Sequence, residues 1–517
     1  MRPRVGIVDL VARRPMRALY ARAMNANFAS IMPQVIGVWA EELGCEVRYL
    51  VYTGVEDLRA TLPRDVDVLF VSAFTPAAYL AYAISHLYRR RGVVTVLGGP
   101  HARAYADDAT EHFDYVCGLT DRPLVQDLLR NPRPNPRAGV RLAARRQPAT
   151  LPGVRERWRF VCHALDKARA LAAVPMIGSF GCPYTCEFCI DATVPYQPLP
   201  YEQMREDLRF LRRTLPRPVV GWHDPNFGVR FDAYMGVIED AVPPGSIRFV
   251  AESSLSLLSE PHLRTLRRHR FEGLTLGIES WFAFNGKARQ GDRVGHDKVR
   301  SVAAHVDLVT RYVPYVQANF VWGLDQDAGP APFELTKRFI DLAPAAFPSH
   351  SLYTAYGDSA PQSRALALEG RVLEVPFHCQ DTSSIHNVRL RHYGAADFYA
   401  LMADVVRHSY ARGAAFARFA ASAHSLASPG RWMGLVRSLT EAWRIGHFAR
   451  LATRFAREVE FQAFAAGDGA PAPASLRDRV RADLGAFYEE LPPILRAELE
   501  APASDRPALI ERASHVG

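Results

Sequence analysis

Short apolar runs alternate with amphipathic stretches of helical period through most of the chain, and this rhythm constrains the fold more than any other feature. In the first part, residues 5–10, 46–52, 66–73, 93–97 and 113–116 read as strands, with helices over 31–43 and 79–91. Strands spaced by helices with short loops build a parallel sheet covered on both faces. The pattern recurs farther on. Strands are expected over 173–179, 219–222, 247–251, 273–277 and 315–322, with helices over 201–215, 231–241, 261–269 and 297–311 between them. Successive β/α units of this size predict a parallel barrel, full or partial. From about Arg371 the rhythm fades into helices over 398–411, 414–426, 432–448 and 451–466, a flexible break over 467–473 and a last helix from Leu476.

A chain of 517 residues with 48% apolar content has material for more than one core. No apolar run approaches the length of a bilayer span, and the first residues lack a signal-peptide apolar region, so a cytoplasmic location is expected. The net charge of +9 comes from 63 basic and 54 acidic residues. No basic face with interleaved aromatics stands out, so no nucleic-acid partner is expected. The arginines at 431, 437, 444, 450, 454 and 457 read as a solvated basic face on packed helices. Peripheral membrane contact is the alternative for that stretch.

Of seven cysteines, three fall in the run Gly181-Cys182-Pro183-Tyr184-Thr185-Cys186-Glu187-Phe188-Cys189. A structural zinc site normally takes four ligands, and no second cysteine pair is near. A [4Fe–4S] cluster normally takes one cysteine per iron, so three leave one iron open to a substrate or cofactor. The bland alternative is three core cysteines that happen to cluster. Cys45, Cys117, Cys162 and Cys379 are isolated and read as small buried apolar residues.

Ligands of parallel sheets sit outside the carboxyl ends of the strands. Two loops stand there in the first part: Val71-Ser72-Ala73-Phe74-Thr75 and Leu97-Gly98-Gly99-Pro100-His101-Ala102. Paired glycines let a backbone approach a ligand, and they equally suit a tight turn. In the second part the strand ends are Trp222-His223-Asp224-Pro225-Asn226-Phe227, Ala251-Glu252-Ser253-Ser254, Gly277-Ile278-Glu279-Ser280 and Asn319-Phe320-Val321-Trp322-Gly323-Leu324.

The cysteine triplet, with aromatic Phe188 before its last member, resembles the radical S-adenosylmethionine (SAM) superfamily. The resemblance implies a [4Fe–4S] cluster on Cys182, Cys186 and Cys189. Its open iron chelates SAM, and the reduced cluster cleaves SAM to a 5′-deoxyadenosyl radical. Phe188 is then expected beside the adenine. The strand ends match family elements in order, which implies SAM contacts from Asp224, Glu252, Ser254, Glu279, Ser280 and Gly323. Asp224 stands in a "DDNF"-like stretch with His223 replacing an acid, and His223 itself reads as structural. Glu279 and Ser280 belong to a "GIES" element. Gly323 closes a "G-x-I-x-G"-like stretch whose first position is not glycine.

The order strand, "VSAFT", helix, strand, "LGGPHA", then "FDYVCG" resembles the cobalamin-binding domain that precedes many radical SAM enzymes. By that likeness Ser72, Phe74, Thr75, Gly98, Gly99, Pro100 and His101 line the corrin and its nucleotide tail. Two departures are visible. The loop from Asp9 to Pro15 lacks the D-x-H-x-x-G histidine, and Leu119-Thr120-Asp121 stands where relatives often carry an acidic pair.

The expected fold class is therefore α/β. Residues 1–130 form a doubly wound, Rossmann-like cobalamin-binding domain and 131–155 a linker. Residues 156–370 form a partial (β/α)6 radical SAM barrel, and 371–517 a mainly helical domain. The expected function is a cobalamin-dependent radical SAM methyltransferase. It would add a methyl group, through a 5′-deoxyadenosyl radical and methylcobalamin, to an unactivated carbon of a small-molecule, natural-product or peptide substrate. An external donor such as flavodoxin or ferredoxin would supply electrons. A non-methylating enzyme of the same architecture (cyclisation, ring contraction or rearrangement) and a non-catalytic Fe–S/cobalamin sensor remain the alternatives. A methylthiotransferase is disfavoured, because its second cysteine cluster has no counterpart here.

Overall fold

Two six-stranded parallel sheets organise the computed structural model, which describes residues 3–16, 28–168, 172–284, 286, 290–423, 428–467 and 469–500. The first sheet contains β1 (Arg4–Leu10), β2 (Glu46–Tyr52), β3 (Val68–Ala73), β4 (Val94–Gly98), β5 (Tyr115–Cys117) and β6 (Val140–Leu142). Their spatial order is 2-1-3-4-5-6. Successive residues point to opposite faces. Val5, Ile7, Val68 and Phe70 share one core with helix α1 (Ile31–Glu42), while Val8, Leu10, Leu69 and Val71 share the other with α2 (Ala78–Arg89). Burial on both faces is why these strands read as continuous apolar runs. The short helix α3 (Pro100–Ala104) follows β4, and α4 (Arg122–Arg130) follows β5. Strand order reverses between β1 and β3, which places the ligand crevice of such a sheet at their carboxyl ends.

Residues 131–155, expected as a linker, contribute the edge strand β6. A three-residue strand between Pro- and Arg-rich flanks is too short to show a period. Helix α5 (Trp158–Leu165) also belongs to this unit. Its Phe160 ring is buried in the first sheet's core, edge-on to Tyr49 at 5.1 Å, and a Cβ at Gly37 would lie 2.6 Å from it. The first unit thus extends to about residue 165 rather than 130.

The second sheet contains β7 (Ala173–Met176), β10 (Val219–Trp222), β11 (Arg248–Ser254), β12 (Phe271–Glu279), β13 (Tyr315–Trp322) and β14 (Phe347–Leu352), side by side in chain order. Between β7 and β10 lies a small antiparallel ribbon of β8 (Ser179–Phe180) and β9 (Gln197–Pro198). The strand expected over 173–179 therefore stops at Met176 and resumes as β8. Strand β14 and the preceding helix Ala331–Leu342 are additions to the elements foreseen from sequence. Pro348 inside β14 is tolerated because β14 is an edge.

The C-terminal helices are Ala395–Ser409, Arg412–Ala423, α6 (Pro429–Phe455), Val459–Ala466, α7 (Ala474–Leu484) and Pro493–Glu500. The expected helix over 414–426 runs into residues 424–427, and the expected break over 467–473 and the domain to 517 include 468 and 501–517; those positions lie outside the described residues. Helix α6 crosses the amino-terminal end of the second sheet. A Cβ at Gly430 would lie 1.8 Å from the Glu272 carbonyl oxygen. Arg437 corrects the solvated-face expectation. It is 5% exposed, donates to Tyr315 Oη, Gln317 Oε1 and the Pro348 carbonyl, and stands over the Phe347 ring at 5.0 Å. Arg450, Arg454 and Arg457 do face solvent.

The loop after β1 is tied to the far end of the chain. Arg13 donates to the His378 carbonyl at 2.6 Å and pairs with Asp381 at 2.6 Å, which Arg479 of α7 also reaches at 3.0 Å. Arg14 pairs with Asp483 at 2.8 Å, and His378 Nε2 meets Asp483 at 3.0 Å. Burial pushes His378 below the ordinary histidine range, so at neutral pH its neutral ring donates to a carboxylate. Burial alone would raise the Asp483 carboxyl, but hydrogen bonds from His378 and Arg14 outweigh it and hold it at about 2. A carboxyl depressed below its unfolded value of about 3.9 contributes stability above that value and loses it as pH falls through the folded one. The melting temperature of the wild type should therefore exceed that of Asp483→Asn at neutral pH. The gap should begin to close near pH 4 and vanish as pH approaches about 2.

Candidate active site

The β8–β9 ribbon closes the segment after β7 into a loop. At its entry Gly181 has φ +63, and a Cβ there would lie 2.2 Å from the Val194 carbonyl oxygen, so the turn requires glycine. The turn leads into Cys182, Cys186 and Cys189, all half-buried. The Cys189 N–H donates to the Cys186 carbonyl at 2.9 Å, and the Asp191 N–H donates to the Cys189 sulfur at 3.5 Å. An N–H aimed at sulfur favours the thiolate. Phe188 packs edge-on to Phe284 at 5.0 Å, joining this loop to the segment that follows β12. Among the described residues, no three His, Cys, Asp or Glu side chains converge as one ion requires. A multi-iron cluster makes no such demand, and three half-exposed soft donors on one loop fit its chemistry.

Asp224, at the carboxyl end of β10, is 1% exposed. It accepts hydrogen bonds from the Gly178 N–H at 2.7 Å, Ser179 Oγ at 2.5 Å and Tyr234 Oη at 2.8 Å. Burial raises its carboxyl, and those three donors oppose the rise. Asp224 therefore fixes the backbone that delivers the cysteine loop, and it also borders the cavity described below.

The other strand ends are likewise braced. Asn226 Nδ2 donates to Ser254 Oγ at 2.7 Å, and the Ser254 N–H donates to Asn226 Oδ1 at 3.1 Å. Glu279 has φ +66, and the β12–β13 register shifts just before it. A non-glycine residue in that region beside a bulge is a strained position of the kind that gathers at functional sites. Ser280 Oγ donates to Asp327 at 2.6 Å, and the Ser280 carbonyl accepts from the buried Lys298 ammonium at 2.6 Å. Burial brings that ammonium down to about 8. Gly323 has φ +91, and a Cβ there would lie 2.8 Å from Leu390.

A cavity of about 850 Å³ joins the two sheets. From the first sheet it takes Ser72, Phe74, Gly98, Gly99 and Pro100, with Gly118, Leu119 and Thr120 after β5. A Cβ at Gly98 would meet nothing within 4 Å, so this glycine leaves open space at the wall. Gly99 is different. With φ +91, a Cβ there would lie 2.9 Å from the Ala73 carbonyl oxygen. From the second sheet come Gly181, Asp191, His223, Asp224 and Glu252. Thr75 and His101 are not among the lining residues. They lie behind the loop, His101 Nδ1 3.4 Å from Thr75 Oγ1 and Nε2 2.6 Å from Tyr82 Oη, and burial drops the ring to about 3. The cysteines themselves, Phe188, Ser254, Glu279, Ser280 and Gly323 also stand outside the wall.

Several wall residues escaped the sequence reading. Thr275 and Gln317 are register partners of the foreseen Glu252 across β11, β12 and β13, and the three form a polar row facing the cavity. Tyr315 and Met433 close its deep end, Met433 from α6. The alternation of Tyr315, Gln317 and Asn319 with apolar neighbours carried the signal. Arg103 of α3 carried none. Asp121, at the departure from the acidic pair, caps α4 by accepting from the Leu124 N–H at 2.9 Å.

Fold and site define a class: two parallel α/β sheets that share one cavity, with a cysteine loop beside it. The chain resembles radical SAM methyltransferases in sequence and one of them in fold. It is 24% identical over 305 residues to the bacteriochlorophyllide d C-12(1)-methyltransferase of Chlorobaculum tepidum, over 57% of this chain and 66% of that protein. It is 29% identical over 141 residues to the bacteriochlorophyllide d C-8(2)-methyltransferase of the same organism, over 24% of this chain and 28% of that one. The chain thus spans just under two thirds of the first relative's length and just over a quarter of the second's. The structure of the radical SAM methyltransferase TsrM from Kitasatospora setae, with cobalamin and a [4Fe–4S] cluster bound, superposes with a TM-score of 0.54 at 15% identity. That match covers 86% of this chain and 100% of TsrM. No family model matches the chain. Among the described residues no helix is long and apolar enough to cross a membrane.

Proposed function

We propose that the chain is a cobalamin-dependent radical SAM methyltransferase that methylates an unactivated carbon of a small-molecule, natural-product or peptide substrate. The observation that carries this reading is the shared cavity, because it reaches from the Gly98–Gly99 loop of one sheet to the cysteine loop of the other. The first sheet is read as a doubly wound cobalamin-binding unit and the second as a partial (β/α)6 radical SAM barrel. The C-terminal helices close the barrel's amino-terminal end. When bound, the cluster and SAM supply a 5′-deoxyadenosyl radical, and cobalamin supplies a methyl carrier.

The chain's own residues do the rest. Cys182, Cys186 and Cys189 hold the cluster. Asp224 keeps their loop in register, and Phe188 with Phe284 flanks it. Asp224 and Glu252 face the cavity, while Ser254, Glu279, Ser280 and Gly323 shape the strand ends around SAM. Ser72, Phe74, Gly98, Gly99 and Pro100 receive the corrin and its tail, with Thr75 and His101 bracing their loop from behind. The closed deep end, walled by Tyr315 and Met433, keeps water and stray hydrogen donors from a radical. An external reductant of the flavodoxin or ferredoxin type supplies the electron.

Reconstituted anaerobically and given SAM and dithionite, the protein should form both 5′-deoxyadenosine and S-adenosylhomocysteine. Formation of 5′-deoxyadenosine alone would contradict methyl transfer. Gly98→Leu tests the cavity separately. Its side chain would enter open space, so folding should be intact while cobalt retained after desalting drops by about tenfold or more. Unchanged cobalt retention would remove that loop from the cobalamin site.

A further inference from the structure

One charge in the cavity is left without a task by the proposed function. Arg103 lies on α3, directly after the Gly99 turn of the first sheet. That helix is seated against the cysteine loop through the segment Gly357–Ser359. A Cβ at Gly357 would lie 2.0 Å from the Ala104 carbonyl oxygen. On the other side of the segment, Thr193 donates to the Ser359 carbonyl at 2.8 Å, and the Gln362 N–H donates to the Glu187 carbonyl at 3.2 Å. Arg103 and Asp191 both line the cavity. Burial lowers the basicity of Arg103, and the groups that support its charge are Asp191 and Cys189. A guanidinium on the first unit thus lies in the cavity beside the loop that carries Cys189.

We infer that Arg103 tunes the reduction potential of the cluster held by Cys182, Cys186 and Cys189, so that docking of the first sheet eases electron entry. The inference rests on the cluster reading above. A cluster carried by three thiolates gains one negative charge when it accepts one electron. Potentials of such clusters follow their net charge, hydrogen bonding and exposure. A cation in a cavity of low effective dielectric stabilises the reduced form more than the oxidised one.

The test is an EPR-monitored redox titration with dithionite, after iron and sulfide analysis, on the reconstituted wild type, Arg103→Gln, Arg103→Lys and Asp191→Asn. All four should carry the cluster. In Arg103→Gln the ratio of reduced to oxidised cluster at fixed potential should fall by about tenfold, which is about 59 mV for one electron. Arg103→Lys should recover most of that change. Asp191→Asn should move the midpoint the opposite way, a reversal that a merely structural role would not produce. A fully loaded Arg103→Gln at the wild-type midpoint would overturn the inference. If that variant loses its cluster, the sign of the Asp191→Asn shift decides: no upward shift overturns the inference too. A wild type that takes up no iron would instead overturn the cluster reading beneath it.

Discussion

Cys186→Ala should abolish 5′-deoxyadenosine formation from SAM while the fold stands. Cys186 is half-buried in a loop, and its structural contact is through its backbone carbonyl, which the substitution keeps. On the proposed function, two thiolates would be left to hold four irons, one of which already lacks a protein ligand. Loss of an outer-shell partner lowers metal affinity or activity by about 10–100-fold, so loss of a ligand itself should exceed that. The check is 5′-deoxyadenosine measured by chromatography beside a thermal melt. A variant that melts like the wild type and still yields normal 5′-deoxyadenosine would take these cysteines out of the chemistry.

Asp224→Ala should be the most damaging change that touches no cysteine. It strips an acceptor from the Gly178 N–H, the Ser179 hydroxyl and the Tyr234 hydroxyl, in a site where Asp224 is 1% exposed. Each orphaned buried donor costs about 1–3 kcal/mol, so a loss on the order of 3 kcal/mol or more is expected from chemical denaturation. The same change frees the segment that feeds Gly181 into the cysteine loop, so iron retained per chain should fall with it. Asp224→Asn keeps an acceptor and should lie between. Wild-type stability and iron content in Asp224→Ala would show that this carboxylate holds nothing.

What could be read from sequence follows from what is local. The cysteine triplet is a contiguous run, so its spacing is visible without a fold. Strands such as β2, β10 and β13 matched their expected limits because burial on both faces or strict alternation leaves a period. Edge strands leave less: β6 has three residues, and β14 carries a proline and three polar residues. Side-chain direction left no trace either. Thr75 and His101 sit in the expected loops, yet they turn away from the cavity into a buried Tyr82–Asp108 network. Arg437 looked like its solvent-facing neighbours because its partners, Tyr315, Gln317 and Pro348, are distant in sequence. Arg103 gains its place only when α3 meets the cysteine loop.

In the proposed function one cavity serves two cofactors. The most direct measurement is metal content after anaerobic reconstitution with iron, sulfide and hydroxocobalamin, followed by desalting. The expected result is stoichiometric cobalt together with about four irons per chain. Iron without cobalt would contradict it, and would leave the first sheet as a module for some other ligand.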